Sequence, residues 1–144
     1  MLKKALLTLT CIAMATSALA KEVTIPTARG DVTLSAPPAK IAVFDTGSLD
    51  TLQALGVKVD GAADVEKLLP YLKPTLDLAK NVGTIFEPNL EALNELKPDL
   101  IIVGTRTAKK FDDVSAIAKT IDLTDNGDKL VESGIQRIDS FGRL

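Results

Sequence analysis

Arg106 is the residue of this sequence best suited to chemistry. It stands in Thr105-Arg106-Thr107-Ala108-Lys109-Lys110, a polar and basic run directly after the apolar stretch Leu100-Ile101-Ile102-Val103 and Gly104. A guanidinium presents several N–H donors in a planar fork and keeps its charge, so its natural counterpart is an anionic, oxygen-rich ligand. Lys109 adds a second cation and Thr105 a hydroxyl, and the loop Asp45-Thr46-Gly47-Ser48 offers Thr46. Two carboxylates face the opposite task, contact with a basic partner. Glu91 falls in the first turn of a helix, where the dipole stabilises negative charge, and Glu87 lies on the same rim. The groups needed for catalysis are missing. No nucleophile–base pair is evident, and Asp45-Thr46-Gly47-Ser48 matches neither the dinucleotide nor the P-loop pattern. The chain has no histidine, which excludes histidine-dependent metal sites, triads and haem ligands within it. We expect no catalytic residues, no metal ligands and no cofactor; a small α/β enzyme acting on an anionic substrate is the weaker alternative.

These residues are positioned by a repeating helix–strand pattern, clearest in Glu87 to Gly104. Asn89 is a good N-cap, Leu90, Leu93 and Leu96 recur at helical spacing, Lys97 suits the negative end of the dipole, and Pro98 stops the helix. Leu100 to Val103 lacks alternation, as a strand covered on both faces does, and Gly104 permits a tight exit. Earlier in the chain, Val23-Thr24-Ile25 and Val32-Thr33-Leu34 flank Ala28-Arg29-Gly30-Asp31 as a hairpin. The tripeptide Arg29-Gly30-Asp31 is known as an adhesion motif, but the turn accounts for it. Ile41 to Phe44 predicts a second buried strand. A helix capped by Ser48 follows, with the stripe Leu49, Leu52, Leu55 and a stop at Gly56, and Val57 to Val59 begins a third short strand whose carboxyl end is expected at Ala62 to Asp64. Short helical pieces are expected within 65–72 and 74–80, an extended segment at Val82 to Phe86, a helix carrying Phe111, Val114, Ile117 and Ala118, and a last strand at Ile121-Asp122-Leu123. Strand–helix–strand order favours an α/β, Rossmann-like lobe: a central, mainly parallel sheet flanked by helices, with right-handed crossovers. In such sheets ligands bind beyond the carboxyl ends of the strands, where Thr46, Thr105, Arg106 and Lys109 all fall. The final apolar stripe, Leu130, Val131, Ile135, Ile138, Phe141 and Leu144, stops without a cap or breaker. It reads as the start of a helix in a longer protein, or as a terminal helix folded back on the sheet.

Residues 1–20 read as a signal peptide: Lys3 and Lys4, an apolar core, then Ala18-Leu19-Ala20 before a cleavage point. Cys11, the only cysteine, would leave with it. A mature chain from Lys21 keeps all 19 acidic residues and loses two of the 17 basic ones, for a charge of −4. We therefore expect a periplasmic protein with no membrane insertion after cleavage and no affinity for nucleic acid.

The residues resemble a known family. Val43-Phe44-Asp45, Leu49-Asp50-Thr51-Leu52, Ala54-Leu55-Gly56, Leu69-Pro70-Tyr71-Leu72, Val82-Gly83, the stretch Glu87 to Gly104, Arg106, Phe111-Asp112, Ile117-Ala118 and Ile121-Asp122-Leu123 are similar to the periplasmic siderophore-binding proteins of iron ABC transporters, especially the catecholate group. The resemblance implies two lobes joined by a long helix. Residues 21–128 would be the N-terminal lobe, 129–144 the start of the interlobe helix, and the C-lobe would be absent. It implies a monomer that binds a ferric siderophore and delivers it to an inner-membrane permease. Arg106 matches an arginine that contacts the ferric catecholate, and Glu91 a glutamate that salt-bridges a permease arginine. Thr105 departs from the pattern, standing where relatives carry glycine. The related cobalamin and haem carriers, and a truncated chain without function, are the alternatives.

Overall fold

The structure is a computed structural model and describes residues 22–125 and 127–144. The expected signal peptide, its cleavage point, Lys21 and Cys11 lie outside the described residues. The hairpin forms as expected: β1 (Val23–Ile25) pairs antiparallel with β2 (Val32–Leu34), and Gly30 takes φ +100° in the turn. Its arginine is not free for adhesion. Arg29 Nε donates to Asp122 at 2.9 Å, and its guanidinium lies 4.1 Å from the centre of the Phe111 ring.

The main sheet contains β3 (Ile41–Val43), β4 (Gly61–Ala62), β5 (Lys80–Asn81), β6 (Leu100–Val103) and β7 (Thr120–Asp122), in the order β5-β4-β3-β6-β7. All pairings are parallel, with Ile41, Ala42 and Val43 opposite Leu100, Ile101 and Ile102. β3 and β6 are buried at every position, which is why neither alternates. Helices α1 (Thr46–Ala54), α2 (Lys73–Leu76), α3 (Leu90–Leu96), α4 (Phe111–Ser115) and α5 (Leu130–Phe141) complete the α/β lobe. The core runs through Phe44, Leu49, Leu52, Leu93 and the β6 residues to Phe141.

Several expectations are corrected. The cap of α1 is Asp45 rather than Ser48: Asp45 Oδ2 accepts from the Ser48 N–H at 2.7 Å and from its hydroxyl at 2.6 Å. Ser48 is buried within the first turn of α1, where its N–H and hydroxyl donate to the cap rather than supply it. The third strand lies at Gly61–Ala62, because Val57 N–H is used to close α1 on Leu52 C=O at 2.9 Å, and pairing with β3 resumes only at Asp60. β5 is Lys80–Asn81, ahead of the expected Val82–Phe86, since Gly83 to Pro88 folds on itself. α3 is capped by Asn89, whose side chain accepts from Ala92 N–H at 2.9 Å. Leu93 is buried, but Leu90 is 40% exposed and Ala92 takes the inward place. Leu55 is likewise exposed. Lys97 ends α3 in the left-handed conformation, φ 53°, ahead of Pro98.

α5 lies against β1 and α1. Phe141 and Ser140 are buried and Leu144 is half-buried, so the end of the helix does fold back on the lobe. Leu130, Val131, Ile135 and Ile138 point the other way and are more than half exposed. The helix docks through Phe141, Ser140 and the half-buried Ser133 and Arg137, and leaves four apolar residues on its other side exposed.

Candidate functional site

The sheet order contains one topological switch point. From β3 the chain runs outward to β4 and β5, then crosses back to β6 on the other flank of β3. Loops leaving β3 and β6 diverge there, and a crevice opens beyond their carboxyl ends. Phe44, Asp45 and Thr46 line it from β3, Gly104, Thr105 and Arg106 from β6, and Ile85 from the loop after β5. Three of the expected ligand residues, Thr46, Thr105 and Arg106, are thus brought together. Lys109 is exposed in the 3-10 turn Ala108–Lys110 and does not line the crevice.

Asp45 organises the crevice. Its Oδ2 caps α1, and Arg137 of α5 approaches it at 3.7 Å. Arg137 also donates to Leu123 C=O at 3.0 Å and to Asp125 at 3.2 Å, joining α5 to the ends of β3 and β7. The aspartate is therefore satisfied from inside the fold. Its other face presses on Gly104: a Cβ there would lie 2.7 Å from Asp45 Cγ. Gly104 is required by this close approach, not by the turn geometry expected from sequence, since its φ is not positive. Neither Asp45 nor Arg137 stood out in the sequence. Asp45 sits one residue past a strand, a capping position that Ser48 also suits, and Arg137 is brought in from 92 positions along the chain by tertiary packing alone.

The cations of the Arg106 loop divide by partner. Lys110 is neutralised by Glu87 at 3.0 Å. Among the described residues Arg106 makes no ion pair or hydrogen bond; it is exposed at the crevice mouth with its donors open. Thr107, also unremarked in sequence, is buried, and its hydroxyl donates to Ile85 C=O. That bond holds the Arg106 loop to the loop after β5. Glu91 is exposed in the first turn of α3 and makes no ion pair among the described residues. Its neighbour on the helix, Glu95, pairs with Lys80, which holds the Glu95 carboxyl below the ordinary glutamate range.

A larger hollow, about 620 Å³ against about 240 Å³, lies between the hairpin and α5. It is lined by Thr27, Asp125, Lys129, Ser133 and Arg137 among others; Arg137 and Asp125 pair with one another at 3.2 Å, and Lys129 makes no ion pair among the described residues. The crevice is smaller but holds an open guanidinium at the carboxyl ends of the strands, where an open parallel sheet binds its ligands. Among the described residues no group of acidic, histidine or cysteine side chains is arranged to hold a metal, and no helix is long and apolar enough to cross a membrane.

Comparison with known proteins identifies the family and the fold. Residues 41–144 match the family described as periplasmic binding protein. The chain belongs to that family. It is 38% identical over 109 residues to the petrobactin-binding protein YclQ of Bacillus subtilis, covering 74% of this chain and 34% of YclQ. It is 32% identical over 114 residues to the Fe(3+) dicitrate-binding periplasmic protein FecB of Escherichia coli, covering 76% of this chain and 38% of FecB. In three dimensions it superposes on the catecholate-siderophore binding protein VctP of Vibrio cholerae with a TM-score of 0.77 at 31% identity, over 86% of this chain and 45% of VctP. The chain thus spans about a third of the length of these curated relatives. The family is one of binding proteins, and these relatives are named for what they bind rather than for a reaction.

Proposed function

We propose that this chain is the N-terminal lobe of an exported ferric-siderophore-binding protein that serves an ABC importer, with a catecholate as ligand. The observation that carries the reading is Arg106: a permanently charged fork with open donors, at the switch-point crevice of a periplasmic binding fold. A ferric tris-catecholate is a large trianion whose iron is already fully coordinated. It calls for cationic donors rather than metal ligands. Thr46 and Thr105 add hydroxyl donors on either side of the crevice, and Lys109 supplies charge at longer range. The names of the relatives support iron complexes as the ligand class.

In this reading residues 1–20 are removed after Ala20, residues 21–128 form one lobe, and 129–144 begin the helix that leads to a second. The protein acts as a monomer, and one lobe alone offers only part of a two-lobe cleft, so it binds more weakly than both lobes together. Glu91 presents its carboxylate to basic residues of the permease, with Glu87 beside it though already shared with Lys110. Calorimetric titration of the full-length protein with a ferric catecholate tests the site. Arg106→Ala is expected to weaken binding at least tenfold, as loss of a charged hydrogen-bonding partner does; unchanged affinity would overturn the assignment. Glu91→Ala should spare binding and impair iron uptake in cells, and normal uptake would remove Glu91 from the docking surface.

A further inference from the structure

Arg106 stands inside a closed turn. The N–H groups of Thr107 and Ala108 both donate to Gly104 C=O, at 2.9 and 2.8 Å. Where the exposed guanidinium points therefore depends on what holds that turn. One side is held by the Thr107 hydroxyl on Ile85 C=O. The other side is held by Arg29 of the hairpin, which stands ahead of residues 41–144, the span that matches the family. Arg29 Nη2 reaches Ala108 C=O at 3.5 Å, the outer limit of a hydrogen bond. Its guanidinium covers the ring of Phe111, the first residue of α4, at 4.1 Å, and its Nε donates to Asp122 at 2.9 Å.

Arg29 is itself fixed in place. Ala28 N–H donates to Asp122 C=O at 2.8 Å, and Thr27 Oγ1 accepts from Arg29 N–H at 3.1 Å, so the hairpin turn is pinned to the end of β7. The Asp122 carboxylate is buried, and its other oxygen accepts from Thr124 N–H at 3.0 Å and from the Thr124 hydroxyl at 2.6 Å. It is a rigid post rather than a mobile surface acid. One guanidinium thus ties the hairpin, β7, α4 and the Arg106 turn together. We propose that Arg29 is a positioning residue for ligand binding: it holds the turn 104–108 so that Arg106 stays at the crevice, and it does not touch the ligand. The inference rests on the anion-binding reading of Arg106 and adds what holds that group. A turn released from Arg29 must be ordered by the ligand, at a cost in affinity.

Calorimetric titration of the full-length protein with ferric 2,3-dihydroxybenzoate tests this in a double-mutant cycle. Arg29→Lys is the informative variant, because lysine keeps a cation opposite Asp122 and loses both the fork and the stacked plane. It should keep the melting temperature within about 2 °C of the parent and weaken binding about fivefold. Arg29→Ala, which also leaves the buried Asp122 without its cation, should lower the melting temperature as well. In an Arg106→Ala background, Arg29→Lys should change affinity by less than about twofold, since the group it positions is gone. Parent-like affinity in Arg29→Lys would mean that Arg29 only neutralises Asp122. An equal loss with and without Arg106 would mean that it acts elsewhere. Either result overturns the proposal. Arg106→Ala alone separates the two claims: if it leaves affinity unchanged, the anion-binding reading itself fails.

Discussion

Gly104→Ala is the sharpest test of how the crevice is held. The backbone at Gly104 needs no positive φ, so alanine meets no conformational penalty there. What it meets is Asp45, with Cγ 2.7 Å and Cβ 2.9 Å from the new methyl. The methyl has nowhere to go, because Gly104 is buried at the end of β6, between the fully buried Val103 and the crevice. Asp45 must therefore move. Moving it weakens the α1 cap formed with Ser48, worth about 1 kcal/mol, and loosens its approach to Arg137. Overpacking of a close contact costs about 1–3 kcal/mol more. The total, roughly 2–4 kcal/mol, lowers the melting temperature by on the order of 10 °C for a domain of this size. Circular dichroism melts measure it directly. The control is the same change made in an Asp45→Gly background, where the obstructing atoms are gone and glycine remains a tolerable cap. There Gly104→Ala should cost under about 0.5 kcal/mol. An equal cost in both backgrounds would refute the reasoning, because the penalty would then arise from something other than Asp45.

Other expectations follow from single contacts. Thr107→Val removes the buried donor to Ile85 C=O and leaves that carbonyl unsatisfied, so chemical denaturation should show a loss of about 1–3 kcal/mol. Leu93→Ala, at a fully buried position under the sheet, should cost about 2–5 kcal/mol in the same assay, whereas Leu90→Ala on the exposed side should cost far less. Tyr71 is the only tyrosine and there is no tryptophan, so phenolate absorbance reports it alone. Partial desolvation, then the negative charge and hydrogen bond of Asp50, raise its pKa above the ordinary phenol value. Asp50→Asn should bring the titration down part of the way, and an unchanged curve would remove Asp50 as a cause.

What the sequence could reveal was decided by how local each signal is. The strand Leu100–Val103, the Asn89 cap and the hairpin turn at Gly30 depend on residues within a few positions of one another, and each was legible. The third strand, expected to begin at Val57 to Val59 but formed only at Gly61–Ala62, shows the limit. Those residues have strand-like composition, but the chain must first close α1 through Val57 N–H, and only Gly61 is slim enough to run beside Ala42 under Leu96. A glycine next to an alanine carries little β propensity, so the true strand was invisible to composition. Leu90 fails for a related reason. It satisfies the helical period, yet Ala92 and Leu93 take the inward side of α3 and leave Leu90 40% exposed.

The site divides in the same way. The placement of Arg106, Thr105 and Thr46 at one crevice was legible because each follows a strand, and strand ends are where an open parallel sheet exposes its loops. The groups that hold them in place were not. Arg137 joins the first turn of α1 to the end of β7, contacts that exist only once α5 has docked against the hairpin. The same docking explains the orientation of α5. A helix with Val131, Ile135 and Ile138 on one side and Ser133, Arg137 and Ser140 on the other would ordinarily bury the first set. Here the second set faces the lobe, because Arg137 is needed by Asp45, Asp125 and Leu123 C=O, and turning it outward would leave those acceptors without their cation. The charge at the end of β3 and the burial of Phe141 thus set together which side of α5 points inward, and they leave Val131, Ile135 and Ile138 outside.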